Sequence, residues 1–314
     1  MNANSLAFVF PGQGSQKIGM MAELAAEYPI VEQTFAEASA VLGYDLWQRV
    51  QTGEQAEINM TECTQPLLLT ASVAVWRIWA QRQGPKPARL AGHSLGEWTA
   101  LVCAGVVAFA DAVKLVQQRG KFMQAAVPAG EGAMAAIIGL EDDKILSACE
   151  AAAQGDVVSA VNFNSPGQVV IAGSAAAVAR AIEACNAAGA KRAMPLPVSA
   201  PFHTSLMRPA ADQLAEQIRA TDFNKPEILI VHNVNADTET NPEEIKELMI
   251  EQIYQPVLWV DCVKALAAAG MEVTVECGPG KVLSGLSKRI DKSLKGMATE
   301  TPAALDKALE ALAV

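Results

Sequence analysis

The chain has 314 residues, 51% of them apolar, enough to bury a sizeable core as one large or two modest domains. Asp and Glu number 34 against 24 Lys and Arg, a formal net charge of −10, which argues against nucleic acid or an anionic membrane surface as a partner, since both demand basic footprints. The longest uninterrupted apolar run, Ala100 to Ala110, falls well short of the ~20 residues of a membrane span.

In chain order, Leu6 to Phe10 is a continuous apolar run ended by Pro11-Gly12-Gln13-Gly14, as expected of a strand buried on both faces and then a tight loop. An amphipathic helical stretch follows from about Lys17 to Leu42, and a second helix from about Thr64 to Gln83. Gly84-Pro85-Lys86-Pro87 breaks it before a short strand, Arg89 to His93. Further helices start at Leu95 and run over Phe109 to Ala126. Strands separated by helices predict a parallel sheet covered on both faces.

The middle of the chain reads differently. Gly132–Gly139 is predicted as a strand, Glu141–Ala153 as a helix, Val157–Phe163 as a strand, Asn164–Gly167 as a hairpin turn, Gln168–Ala172 as the return strand, Ser174–Ala188 as a helix and Lys191–Pro197 as a last strand. That order, β-α-β-β-α-β, is ferredoxin-like. The expected organisation is therefore an α/β domain over 1–127 and 198–314 with a small subdomain inserted over 128–197. The large domain resumes with strands at Ile228–Val231 and Glu272–Cys277.

The six cysteines are scattered, with no C-x-x-C pair, so the expected state is reduced thiols in a cytoplasmic protein rather than a disulfide framework or a zinc site. Residues Met1 to Ser5 carry no basic residue, and no secretory signal is expected.

The strongest local signal is Gly92-His93-Ser94-Leu95-Gly96, a G-x-S-x-G placed after a strand and before a helix. In such a turn the glycines permit a strained backbone, the serine hydroxyl is pushed outward, and the helix N-terminus supplies N–H donors. Ser94 is therefore the candidate nucleophile; the ordinary alternative is a serine N-cap. A serine needs a base, and there are three histidines. His93 adjoins Ser94, where strand alternation points it elsewhere. His232 ends an apolar strand and reads as a structural residue. His203, in the loop Pro201-Phe202-His203-Thr204, is the candidate base by elimination. No acid between Ser94 and His203 stands out as a third member, so the imidazole is oriented either by a carbonyl or by a group after His203. Neither Gly12-Gln13-Gly14-Ser15-Gln16-Lys17 nor Gly278-Pro279-Gly280-Lys281 completes a nucleotide-binding fingerprint. The better use of the first loop is to bring the Gln13 N–H beside that of Leu95 as an oxyanion hole.

Phe10-Pro11-Gly12-Gln13-Gly14-Ser15-Gln16, Gly92–Glu97, Asn162-Phe163-Asn164-Ser165-Pro166-Gly167-Gln168 and Glu276-Cys277-Gly278-Pro279-Gly280 occur together and in order. In these motifs, over nearly its whole length, the chain resembles the malonyl-CoA:acyl carrier protein transacylases of type II fatty acid synthesis. The resemblance implies a hydrolase-like α/β domain with a ferredoxin-like insertion, an acylated Ser94 with His203 as base, and oxyanion N–H groups from Gln13 and Leu95. It implies that Arg119 binds the malonyl carboxylate, that the main-chain carbonyl of Gln252 orients the histidine, and that Gln65 and Asn162 line the site. Phe202, where relatives often carry a small residue, accompanies malonyl rather than branched units in related acyltransferases. One thioester becomes another, so no cofactor and no metal are expected. Malonyl-CoA and an acyl carrier protein are the implied partners of a monomer.

Rival readings are a serine thioesterase or hydrolase on the same elbow, a polyketide-type acyltransferase with another acyl unit, and a non-catalytic carrier-docking module. Acyl carrier proteins of this pathway are themselves acidic, so docking on so acidic a chain calls for a local basic patch. Lys288 and Arg289, within the basic stretch Cys277–Gly296, and the pair Lys191 and Arg192 are the candidates, against the ordinary reading of a solvated helix face.

Overall fold

The structure, a computed structural model, describes residues 5–198 and 200–313. Residues 1–4, on which the leader reading rests, lie outside the described residues, as do Ser199 and Val314.

Five short strands, β1 (Leu6–Phe10), β2 (Arg89–Gly92), β7 (Leu229–Val231), β8 (Val273–Glu276) and β9 (Lys295–Ala298), form an all-parallel sheet in the order β7-β2-β1-β8-β9. Strand alternation explains why β1 reads as a solid apolar run. Leu6, Phe8 and Phe10 pack into the large core with helices such as Thr61–Gln81 and Phe109–Ala125, while Ala7 and Val9 pack into a second core with the helices Trp259–Ala268 and Val282–Ile290. Each of the larger ones, Leu6, Phe8, Val9 and Phe10, contributes ~1.5–3 kcal/mol of transfer free energy.

The remaining strands, β3 (Gly132–Ile138), β4 (Val158–Ser165), β5 (Gln168–Ser174) and β6 (Arg192–Pro195), form an antiparallel sheet in the order β4-β5-β3-β6. One face, with Ala135, Ile137, Val169 and Ile171, packs on the helices Asp142–Ala153 and Ala175–Ala187. The other, with Met134, Val161, Val170 and Ala172, packs on Leu196, Val198 and Phe202, the last of which also packs on the large core. The chain is thus a mixed α/β protein with one parallel and one antiparallel sheet. The antiparallel sheet is also tied to the segment leading into the helix Trp259–Ala268, because Val257 donates to Val161 O at 2.7 Å and accepts from Phe163 N at 3.1 Å.

Two expectations are corrected. The helix expected over Lys17–Leu42 is two helices, Ala22–Glu27 and Ile30–Leu42, because Pro29 forces Tyr28 into an extended conformation (φ −127°, ψ 98°). The hairpin turn expected at Asn164–Gly167 is confined to Pro166 and Gly167, so Asn164 is a strand residue. Within the basic stretch Cys277–Gly296, Lys288 and Arg289 lie in the last turn of the helix Val282–Ile290, and Lys295 begins the edge strand β9.

Candidate active site

β1 and β2 are parallel neighbours with Phe10 opposite Gly92, so the loops leaving them emerge side by side at the C-terminal edge of the sheet, where open α/β sheets bind ligands. The close approach dictates the glycines. A Cβ on Gly92 would lie 1.9 Å from the carbonyl carbon of Gly96, and one on Gly96 would lie 2.1 Å from Phe10 O. Between them Ser94 adopts φ 51°, ψ −108°, a conformation that L residues avoid and that lifts its side chain off the turn. His203, on the loop before the helical turn Ser205–Met207, also has a positive φ, 62°. Strain at both residues is what a site over-determined by its surroundings shows.

The two side chains meet. Ser94 Oγ is 2.7 Å from His203 Nε2, and His203 Nδ1 is 2.8 Å from the carbonyl oxygen of Gln252. A carbonyl only accepts, so the ring proton sits on Nδ1 and Nε2 is free to accept from the serine hydroxyl. Gln252 caps the C-terminus of the helix Pro242–Glu251, where carbonyls lack intrahelical partners. Burial, then the Arg119 charge, push the His203 pKa down to about 3, so the imidazole rests neutral.

Arg119, on the helix Phe109–Ala125, is 2% exposed. Its Nη1 donates to Gln65 Oε1 at 2.7 Å, and its Nη2 to Gln252 Oε1 at 2.9 Å and Ser94 Oγ at 3.3 Å. Its Nε is buried with no hydrogen-bond partner among the described residues. Burial lowers its pKa to about 10, with Glu97 opposing the shift, which leaves it a cation. From Gln65 a relay continues: Gln65 Nε2 donates to Thr61 Oγ1 at 3.0 Å, which donates to Gln13 Oε1 at 2.9 Å.

Ser94, His203, Arg119, Gln13, Leu95, Gln65, Asn162 and Phe202 all line one cavity of about 130 Å³. A wider cavity of about 460 Å³ shares Gln13, Thr61, Val198 and Phe202 with it and extends past Met60 and Lys121 to the surface. Gln252 lies behind the cavity lining. Asn162 reaches the site through a bulge in β4 that puts the consecutive residues Val161 and Asn162 on the same side, and its buried Oδ1 has no partner among the described residues. Phe202 also packs on the small sheet's inner face.

His93, expected to point elsewhere, instead lines the same cavity, because the positive-φ turn at Ser94 breaks the strand alternation on which that expectation rests, while His232 is fully buried. His93 Nε2 is 2.7 Å from Asn164 Oδ1, which links the elbow to the small sheet, and His232 Nδ1 is 2.7 Å from Glu97 Oε1. Sequence reasoning missed Asn233, whose Oδ1 accepts from Ser94 N at 2.8 Å while its Nδ2 donates to Gly92 O at 2.7 Å. The available signal was a polar His-Asn pair following the apolar run of β7 at the sheet's C-terminal edge.

The four basic candidates lie outside the cavity but converge. Arg289 Nη1 donates to Gln168 Oε1 at 3.2 Å; Gln168 pairs with Ile138, and Ile138 pairs with Arg192, next to Lys191. All four are exposed, and none forms an ion pair with an acid among the described residues. No cluster of three metal-ligating side chains and no helix long and apolar enough to cross a membrane occurs among the described residues.

Fold and site define an α/β protein with a serine–histidine pair raised at the C-terminal edge of a parallel sheet beside a buried arginine. Residues 7–307 match the acyl transferase domain model. The chain is 61% identical over 304 residues to the malonyl CoA-acyl carrier protein transacylase of Escherichia coli K12, covering 97% of this chain and 98% of that one. Among solved structures it matches an acyl carrier protein S-malonyltransferase from Vibrio cholerae (TM-score 0.95, 59% identity, 97% and 99% coverage). It also matches a malonyl-transacylase solved with its type II PKS acyl-carrier protein (TM-score 0.97, 54% identity, 98% and 100% coverage). The chain belongs to the acyl transferase domain family.

Proposed function

We propose that the chain transfers a malonyl group from malonyl-CoA to the phosphopantetheine thiol of an acyl carrier protein through a malonyl-Ser94 intermediate. The observation that carries this reading is the buried Arg119 guanidinium 3.3 Å from Ser94 Oγ, with an unpaired Nε. It is a planar cation placed for an acyl group that ends in a carboxylate. A hydrolase of neutral acyl groups has no use for it. The names of the relatives support malonyl as the acyl unit, and the solved carrier complex supports the acceptor.

In the proposed cycle His203 Nε2 takes the Ser94 proton as Oγ attacks the thioester carbon, and Gln252 O steadies the imidazolium that forms. Backbone N–H groups of Gln13 and Leu95 hold the oxyanion. The Leu95 assignment is supported by its neighbours' engagement: Ser94 N binds Asn233, Gly96 N binds His93 O and Glu97 N binds Ser94 O. His203 returns its proton to the departing CoA thiolate. The carrier thiol is then deprotonated by His203 and attacks the ester, regenerating Ser94. Gln65 and Asn162 line the acyl site, and Phe202 limits its width. Lys191, Arg192, Lys288 and Arg289 form the carrier-docking patch, supported by their convergence around Ile138 and Gln168.

The finer fold reading is a hydrolase-like parallel domain over 1–127 and 198–314 with a ferredoxin-like insertion over 128–197. It is supported by the order β4-β5-β3-β6, which is 2-3-1-4 within the insertion, and by the insertion's own core. A cytoplasmic location is supported by six free cysteines.

The test is incubation with labelled malonyl-CoA followed by intact-mass analysis. A malonyl adduct on Ser94, absent in Ser94→Ala and discharged by holo-carrier protein, is the expected result. Rapid release of free malonate without carrier would instead indicate the hydrolase.

A further inference from the structure

Behind the cavity, Glu97 is a carboxylate only 1% exposed, projecting from the first turn of the helix Leu95–Cys103. Three N–H donors converge on it. Its Oε1 accepts from His232 Nδ1 at 2.7 Å, and its Oε2 accepts from Gln252 Nε2 at 2.8 Å and from Asn233 N at 3.2 Å. Gln252 Nε2 also donates to Ser94 O at 2.9 Å, while Gln252 Oε1 faces the Arg119 guanidinium. This arrangement fixes the orientation of the Gln252 amide. The carboxylate and the Ser94 carbonyl only accept and the guanidinium only donates, so no flipped amide satisfies all three.

We propose that Glu97 is a positioning residue that acts through Gln252, locking its side chain so that one residue holds Arg119 with its amide oxygen and His203 with its main-chain carbonyl. The inference rests on the malonyl-transfer reading above.

Electrostatics favour the interposed amide. A carboxylate in direct contact with Arg119 would occupy the fork that the substrate carboxylate needs, whereas a bare buried guanidinium would be costly. With Gln252 between them, Glu97 stays close enough to be the charge that opposes the desolvation of Arg119, yet leaves Arg119 Nε unpaired. His232 and Asn233 extend the lock: both follow β7, and Asn233 simultaneously ties down Ser94 N and Gly92 O. The nucleophile turn, the base and the carboxylate-binding cation are therefore referred to a single buried anion.

Glu97→Gln removes the charge while keeping the shape, and it sets an amide N–H against His232 Nδ1 where a carboxylate oxygen stood. Gln252→Met removes the amide but keeps the carbonyl. The experiment measures initial rates of Ser94 acylation by malonyl-CoA and by acetyl-CoA, by intact mass, in the native protein and both variants, normalised to folded protein by circular dichroism. Because only the malonyl group carries a carboxylate for Arg119 to hold, the malonyl-to-acetyl ratio should fall at least about tenfold in both variants, the scale of one misplaced charge-assisted hydrogen bond. A purely structural Glu97 would lower the melting temperature and leave that ratio alone. The proposal is overturned if the ratio stays within about twofold of native in folded Glu97→Gln. Should Glu97→Gln not fold, Gln252→Met decides by the same criterion. A native protein with no preference for malonyl-CoA would overturn the malonyl reading itself, and this inference with it.

Discussion

His203 Nδ1 donates to the main-chain carbonyl of Gln252 at 2.8 Å, where many serine enzymes place a carboxylate. The carbonyl lies at the C-terminus of the helix Pro242–Glu251, the negative end of its dipole, so the imidazolium formed during proton transfer gains a partial counter-charge. With a carbonyl in that place, the buried Glu97 carboxylate is kept off the base by the Gln252 side chain, whose Nε2 donates to it at 2.8 Å. The cost is a weakly basic histidine.

That cost is measurable in the pH profile. With its pKa near 3, His203 stays deprotonated across mildly acidic pH, so kcat/KM for malonyl-CoA should be level between pH 7.5 and 5.5. An ordinary histidine of pKa ~6.5 would be about 90% protonated at the lower limit. An inflection near 6.5 that vanishes in no other histidine variant would contradict the assignment. The same shift has a stability consequence. Between pH 6.5 and about 3 the unfolded chain binds a proton at His203 that the folded chain refuses, so stability falls as pH falls through that window. The slope is at most ~1.4 kcal/mol per pH unit for this one group, read from urea midpoints of native protein against His203→Gln.

Arg119→Ala is expected to lower kcat/KM for malonyl-CoA by roughly 30- to 4,000-fold, the equivalent of ~2–5 kcal/mol for a lost buried charge partner. Acetyl-CoA acylation of Ser94 should be retained or increased, because the variant no longer buries an unmatched cation. Arg119→Lys should recover only part of the malonyl rate, since an ammonium cannot reach Gln65, Gln252 and a carboxylate with one planar fork. Parallel loss of both acyl substrates would show that Arg119 serves the fold rather than the acyl group.

How legible these residues were in the sequence depended on how local their signals are. The elbow at Ser94 was readable because its strand, glycines and helix are contiguous, and the small sheet because its strands and helices alternate without interruption between Gly132 and Pro195. Pro29 was visible, but the amphipathic period on either side masked the break it makes. Edge strand β9 exists only through its pairing with β8 and has no alternation of its own. Gln252 entered through family resemblance alone, because nothing near it in sequence announces that its carbonyl meets a ring 49 residues away. Asn233 and Glu97, at sequence separations of 139 and 136 from the groups they bind, required the fold.

Gly120 follows Arg119 where the helices Phe109–Ala125 and Thr61–Gln81 touch, and a Cβ there would lie 2.6 Å from both Glu62 Cα and Thr61 O. These are backbone atoms, so the helices must separate to admit it. Gly120→Ala should cost ~1–3 kcal/mol of stability by overpacking. It should also weaken the hydrogen bond between Arg119 and Gln65, raising KM for malonyl-CoA more than for acetyl-CoA. A thermal shift without any change in that discrimination would confine Gly120 to packing.

The final prediction concerns the carrier. The chain is acidic overall, yet Lys191, Arg192, Lys288 and Arg289 are exposed, unpaired with acids among the described residues, and drawn together by the pairing of Gln168, Ile138 and Arg192 and the bond from Arg289 to Gln168. They flank the hairpin whose Asn162 lines the cavity and whose Asn164 bonds His93, so a carrier held there lies beside the site. Because such charges steer encounter more than they hold the complex, reversal to Glu at Lys288 and Arg289, or at Lys191 and Arg192, should act mainly on association. Carrier KM should rise about tenfold or more at low salt, with the difference from native shrinking as ionic strength approaches ~1 M. In the proposed cycle acylation of Ser94 by malonyl-CoA precedes carrier binding and should be unchanged, and stopped-flow acylation beside steady-state transfer separates the two. Carrier kinetics unaffected by both double reversals would place docking elsewhere on the surface.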